Sequence, residues 1–329
     1  ITIYWFVFSQ TVAYSITAIV AFLIVVKKAH FIRINWNPRF FMVILKQSFP
    51  YALLVLLMTF YNRIDSVMIE RLLPTDMGDY QAGVYASAYR LLDAVNMIAY
   101  LFAVILLPVF ARMIKLKQPV NETIKLSFSM LFTLSIVVVF ACIAYRQEIM
   151  TLLNPQHVNE TLSQFYARIE QLSFVFSMLM SCFVAISMTY VFGTLLTANG
   201  SLRTLNIVAA VGMLMNIGLN LFLIPKFMAS GSAVASVITQ FTMAIIQMVI
   251  AIRMFRVEFK LNEIVRLCVF LAMLFGWLFA LKYINIRWDV KIVAFGIISF
   301  LTAILIKVIN IKSILHNFSV KDIIIKKQD

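Results

Sequence analysis

Nine stretches of this chain are apolar for about the length a helix needs to cross a bilayer: residues 4–26, 50–73, 84–110, 127–145, 172–197, 204–224, 230–252, 264–284 and 290–309. Hydrocarbon offers no partner to a backbone N–H or C=O. A spanning segment therefore folds as a helix or as part of a closed barrel. The stretches are continuously apolar and do not alternate, which excludes the barrel. The composition agrees: 63% hydrophobic, 13% charged, mean hydropathy +0.95. The sequence thus predicts an all-α, polytopic transmembrane helix bundle of about nine spans.

The net charge of +14 raises the question of nucleic acid, but the basic residues sit between the spans, where membrane proteins concentrate them. No nucleic-acid partner is implied. One set of alternate loops holds 19 Lys and Arg, the opposite set 7, and Arg63 and Arg90 lie within spans. This bias assigns the first set to the cytoplasm. The first residue is then expected outside, with Asp76, Asp79 and the 146–170 loop, and the last residue inside. The start Ile1-Thr2-Ile3-Tyr4-Trp5 has no Met and no basic leader, so an N-terminal truncation is expected. Residues 311–329 alternate Ile and Lys, as a loose basic tail or as an amphipathic helix on the inner leaflet.

Charged residues inside spans are costly unless they face protein or water, and they mark functional sites. The second span carries Arg63 and Asp65, the third Arg90 and Asp93. At 100° per residue from Asn62, Ser66 lies near 40°, Thr59 near 60°, Glu70 near 80°, Arg63 near 100° and Asp65 near −60°. These six residues fill an arc of about 160°, with Arg63 and Asp65 at opposite edges and so not an obvious pair. In the third span Tyr85, Tyr89, Asp93, Asn96 and Tyr100 follow one another at helical spacing, with Arg90 beside them. Aromatic rings, an amide and a carboxylate suit sugars; Arg, with its planar fork, suits a phosphate. A structural role, such as an Arg63–Asp93 ion pair, fits the same residues. Asn206, Asn216 and Asn220, and the stripe Ser173, Ser177 and Ser181, read as interhelical packing groups. Trp5, Trp36, Trp277 and Trp288 read mostly as anchors near span ends.

Other chemistry finds no support. Cys142, Cys182 and Cys268 all fall within spans and imply no disulfide framework. His30, His157 and His316 match no metal spacing. The sequence has no G-x-x-x-x-G-K-[ST], H-E-x-x-H or G-x-S-x-G motif, and the longest connections, about 27–49 and 146–171, are too short for an enzyme domain. Neither a cofactor nor an enzymatic activity is implied.

Three stretches resemble a known family. Ser48-Phe49-Pro50 is followed by Arg63-Ile64-Asp65-Ser66-Val67-Met68-Ile69, and then by Ala82-Gly83-Val84-Tyr85-Ala86-Ser87-Ala88-Tyr89-Arg90-Leu91. Further on come Asn216-Ile217-Gly218-Leu219-Asn220-Leu221-Phe222-Leu223-Ile224-Pro225-Lys226 and Gly231-Ser232-Ala233-Val234-Ala235-Ser236. Together they resemble the polysaccharide (O-antigen, Wzx-like) flippases of the MOP superfamily, over the whole chain. The stretch Phe227-Met228-Ala229-Ser230 lacks one Gly of the pattern, and Ser232 replaces an Ala.

The resemblance implies a MATE-like fold lacking most of its N-terminal lobe. Residues 1–46 would hold the last span of that lobe and a linker, 47–254 the six-helix C-terminal lobe, 255–310 two additional spans and 311–329 the basic tail. It implies alternating access in the bacterial inner membrane, with an undecaprenyl-pyrophosphate-linked oligosaccharide as cargo. Membrane lipids, H+ or Na+ as coupling ion and polysaccharide-assembly proteins are the implied partners. Arg63 and Arg90 would meet the pyrophosphate or gate the cavity. Asn62, Tyr85, Tyr89, Asn96 and Tyr100 would line it, and Asp65 and Asp93 would orient the arginines or couple an ion. A lipid II flippase and a multidrug cation antiporter share the fold; two Arg balanced by two Asp disfavour the second. An integral-membrane polysaccharide polymerase should show a large external loop, and none is present.

Overall fold

The computed structural model describes residues 3–29, 37–156 and 160–309. Among them it is helical throughout: α1 Ile3–Ala29, α2 Pro38–Leu72, α3 Thr75–Lys115, α4 Asn121–Ala144, α5 Arg146–Leu153, α6 Leu162–Ala198, α7 Leu202–Phe255, α8 Leu261–Lys282 and α9 Trp288–Leu305. Eight of these helices are long and apolar enough to cross a membrane; α5 is a single short segment. The chain is a multi-pass membrane protein. It divides into two compact units, residues 1–49 and 50–329, with the boundary inside α2. The first unit holds α1 and the start of α2, almost entirely exposed.

The eight long helices make room for nine crossings because α7 is a hairpin. Met228 leaves the helical region (φ 54, ψ −136), and the chain reverses there. Pairs across the reversal are symmetric about it. Gly231 abuts the Leu223 carbonyl, Gly212 lies against Met243, and Met254 meets both Asn199 and Ser201 at the far end. The second arm opens on a run of small residues, Ala229 to Ala233, which lets two backbones come close, as membrane helices do when they pack. At Gly231 a Cβ would collide with that carbonyl, so only glycine fits. The reversal frees a backbone donor, the Ala229 N–H. Gln81 of α3 accepts it through Oε1 at 3.2 Å and also binds Gln171 of α6 at 2.8 Å.

α6 is the central element, buried along most of its length and flanked by α3, α4, α5 and α7. Its start is fixed by a capping box, Thr161 with Gln164. Apolar side chains fill the space on both sides of mid-membrane: Tyr85, Phe176 and Phe183 toward the Pro74 turn, Phe110, Ile124 and Phe192 toward the basic loops. α8 and α9 pair with each other and lean on α4 through Ile136, Phe270 and Phe295.

Several expected boundaries move. Pro50 does not open a span; it lies inside α2, which begins at Pro38. The 27–49 connection is therefore largely helical, and α5 takes up part of the 146–171 one. The span expected to end at 224 runs on through Pro225, and the reversal comes at Met228. Trp277, one turn from the end of α8, also ties that helix to α9. Its indole N–H donates to Thr302 of α9 at 3.2 Å. Of the serine stripe, Ser173 reaches another helix, donating to the Arg146 carbonyl of α5 at 3.4 Å, while Ser177 and Ser181 each donate to the carbonyl four residues back in α6 itself. Residues 311–329, with His316, lie outside the described residues, as do His30, Trp36 and His157.

Candidate functional site

Asp65 sits on the face of α2 turned into the second unit and is 2% exposed. Three donors converge on its carboxylate. The Tyr85 hydroxyl of α3 reaches Oδ2 at 2.6 Å, the Asn220 amide reaches Oδ1 at 2.7 Å, and the Ser236 hydroxyl reaches Oδ2. Asn220 and Ser236 come from the two arms of α7, so the hairpin clasps the carboxylate from both sides. Asn216 accepts from Asn220 at 3.1 Å, and Gln240 donates to Asn62 at 2.8 Å. A void of about 10 Å³, room for about one water, adjoins Asp65. The Thr239 hydroxyl lines it and has no hydrogen-bond partner among the described residues, and neither has the Asn220 carbonyl oxygen. Among the described residues no Lys or Arg forms an ion pair with Asp65.

A second cluster lies one helix face away. Arg63 Nη2 donates to Asp93 Oδ2 at 2.9 Å, with side-chain exposures of 61% and 39%. The guanidinium stands 5.1 Å from the centre of the Tyr89 ring, itself stacked on Tyr85. Arg63, Arg90, Asp93, Tyr89 and Asn62 line an open hollow of about 130 Å³. Arg90 is exposed and has no ion-pair partner among the described residues. The hollow therefore carries two guanidinium groups against one carboxylate.

The structure splits the expected tyrosine stripe. Tyr85 is buried against Asp65, Tyr89 and Asp93 face Arg63, and Tyr100 is exposed beside Tyr190. Fifteen residues at 100° overrun four turns by about 60°, so a stripe of this length drifts round its helix. Tyr100 instead lines a larger, mostly apolar cavity of about 290 Å³ with Tyr61, Tyr190 and Gln247, nearer the basic loops. Asn96 lies beside Tyr190. Spacing within α2 and α3 does not reveal Asn216, Asn220, Ser236 and Gln240, of which the asparagines read as packing groups, yet they surround Asp65 and Asn62. The signal was available, since three of the four fall in the two stretches 216–226 and 231–236 that carry the family resemblance. Asn206 belongs elsewhere, donating to the Pro50 carbonyl at 3.0 Å.

Residues 2–114 match the model of a family described as polysaccharide biosynthesis protein. The match covers about a third of the chain and takes in α1, α2 and nearly all of α3, hence Arg63, Asp65, Arg90 and Asp93. The α7 stretches lie outside it. No curated protein matches the chain. The match and the membrane-length helices fit a transporter of the flippase kind in general.

Proposed function

We propose that this chain takes part in flipping a lipid-linked oligosaccharide, of the undecaprenyl-pyrophosphate type, across the bacterial inner membrane by alternating access. The observation that carries the reading is the hollow shared by Arg63 and Arg90. A pyrophosphate needs cations in a place that water can reach and the bilayer cannot, and two guanidinium groups facing one carboxylate supply it. Asp93 orients Arg63, and Tyr89 offers a ring face to sugar or guanidinium. In this reading residues 47–254 form one six-helix lobe that rocks against another, residues 255–310 add two spans, and the basic loops face the cytoplasm.

Asp65 takes the other role, coupling an ion. It touches neither arginine, and its three donors come from α3 and from both arms of the α7 hairpin. A proton or a small cation arriving there changes what holds α2, α3 and α7 together, which is what a rocking lobe requires. The adjoining void and the unpaired Thr239 and Asn220 oxygens give such an ion room.

Complementation in a strain lacking the transporter tests the arginine role. Arg63→Ala and Arg90→Ala are each expected to reduce polymer export by at least tenfold, while the protein level at the membrane holds. Wild-type export by both variants removes the pyrophosphate reading. A polymerase would instead yield short surface glycans in the null strain, since unpolymerised units still reach the surface.

A further inference from the structure

We infer that a cleft at the basic end of the second unit, away from the Arg63 hollow, binds the headgroup of an anionic phospholipid. The cleft has a volume of about 160 Å³ and lies where α4 and α8 begin and α9 ends. Five charged side chains line it: Glu122, Lys125, Glu263, Arg266 and Lys307. Glu263 is already committed. One oxygen takes the Lys125 amine at 3.3 Å, and the other accepts the Lys260 backbone N–H at 3.0 Å. Glu122 stands in the first turn of α4, where the helix dipole holds its charge. Arg266 and Lys307 remain, both exposed and both without an ion-pair partner among the described residues.

Lys307 is placed there by the backbone. α9 ends in a Schellman turn: Lys307 N–H bonds the Ile304 carbonyl, and Val308 N–H bonds that of Ala303. Lys307 occupies the left-handed position of that turn (φ 59), where glycine is the usual residue and a side chain costs energy. Ser129 of α4 holds the turn through the Val308 carbonyl. A lysine kept in a strained site, beside an arginine, at a shared end of membrane-length helices suits a phosphate at the height of lipid headgroups. Exposed apolar side chains of α8, Val269 and Met273, follow Arg266 at i+3 and i+7 on the same side of the helix and suit the acyl chains. The ligand is therefore the phosphate of a lipid, not a soluble phosphate.

The test uses the full chain in nanodiscs of phosphatidylcholine doped with phosphatidylglycerol, read by native mass spectrometry of retained lipid. The wild type is expected to retain phosphatidylglycerol over phosphatidylcholine, and the double variant Arg266→Gln, Lys307→Gln to lose about tenfold of that preference. A control pair at the opposite end, Lys226→Gln with Lys282→Gln, is expected to keep it. The basic tail is intact in all three, so its attraction for the bilayer cancels. Melting in zwitterionic detergent is expected to match across them, which separates lost binding from lost folding. An equal preference in wild type and the Arg266/Lys307 variant overturns the inference. So does displacement of phosphatidylglycerol by inorganic phosphate alone, which would mark a soluble-anion site.

Discussion

A carboxylate held by three neutral donors behaves differently from one held by a guanidinium, and Asp65 and Asp93 divide along that line. The Arg63–Asp93 pair is half exposed, and such pairs contribute about 0–1 kcal/mol to stability. Asp93→Asn is therefore expected to leave the melting temperature in detergent almost unchanged while lowering export. Asp65 is the reverse case. Asp65→Leu leaves Tyr85, Asn220 and Ser236 facing an apolar side chain, at about 1–3 kcal/mol for each stranded group. It is expected to lower the melting temperature by several degrees. Asp65→Asn keeps an acceptor for the two hydroxyls, so it is expected to fold and to lose the dependence of transport on a proton or sodium gradient. A gradient-dependent Asp65→Asn protein would remove the coupling role. Sequence spacing found both aspartates but not this division. Asp65 meets Ser236, 171 residues away, and no periodicity within α2 or α3 carries the register of α7.

Four helices end in this protein by two devices, and only one of the devices is visible in sequence. α6 stops at Gly200 (φ 75), a signal read directly from the glycine. α3, α7 and α9 stop with Lys117, Arg256 and Lys307 in the same left-handed conformation, where a basic side chain meets the negative end of the helix dipole. Nothing in a Lys or Arg announces a turn, and so these ends were placed by hydropathy alone. The α7 reversal falls in the gap between the spans at 204–224 and 230–252, so hydropathy brackets it although Met228 is neither Gly nor Pro. Gly231 makes the reversal possible. Gly231→Ala is expected to reduce folded protein on size-exclusion chromatography, while Gly83→Ala, whose Cβ meets nothing, is expected to behave as wild type. Outside the membrane-length core, Arg168 and Glu160 form a two-pronged ion pair at 2.8 Å, 8% and 12% exposed, and Arg168 also reaches the Pro155 carbonyl. Losing one partner of a buried pair costs about 3–5 kcal/mol. Arg168→Met is expected to speed protease cleavage between α5 and α6, and the double variant with Glu160→Gln to be cleaved more slowly than the single one.

At the scale of the whole molecule, the number of crossings decides everything about sidedness. Hydropathy gives nine, and the described residues hold eight membrane-length helices, the longest of them folded in two. Apolar length survives in sequence because the bilayer imposes it segment by segment. Which helices touch, and how the polar faces meet, depends on pairings between distant segments and was not legible. The two ends of α7 are expected on one side of the membrane. Single cysteines introduced by Ser201→Cys and Glu258→Cys in a cysteine-free background should label together with an impermeant maleimide. Gln156→Cys should label from the opposite side. Opposite labelling of the first two would mean that α7 crosses once.

The tip of that hairpin turns on a single non-helical residue, and Asn220 and Ser236 are each only eight residues from it. At 1.5 Å per residue the Asp65 cluster hangs about 12 Å below the tip. Loop tips are the usual place to insert an epitope or a fluorescent reporter, and this one is a poor host. Any insertion at Met228 pulls apart the two donors that clasp Asp65, so a tagged protein would arrive in the membrane with its own clasp undone. Probes of this protein belong on the α8–α9 connection, away from both clusters.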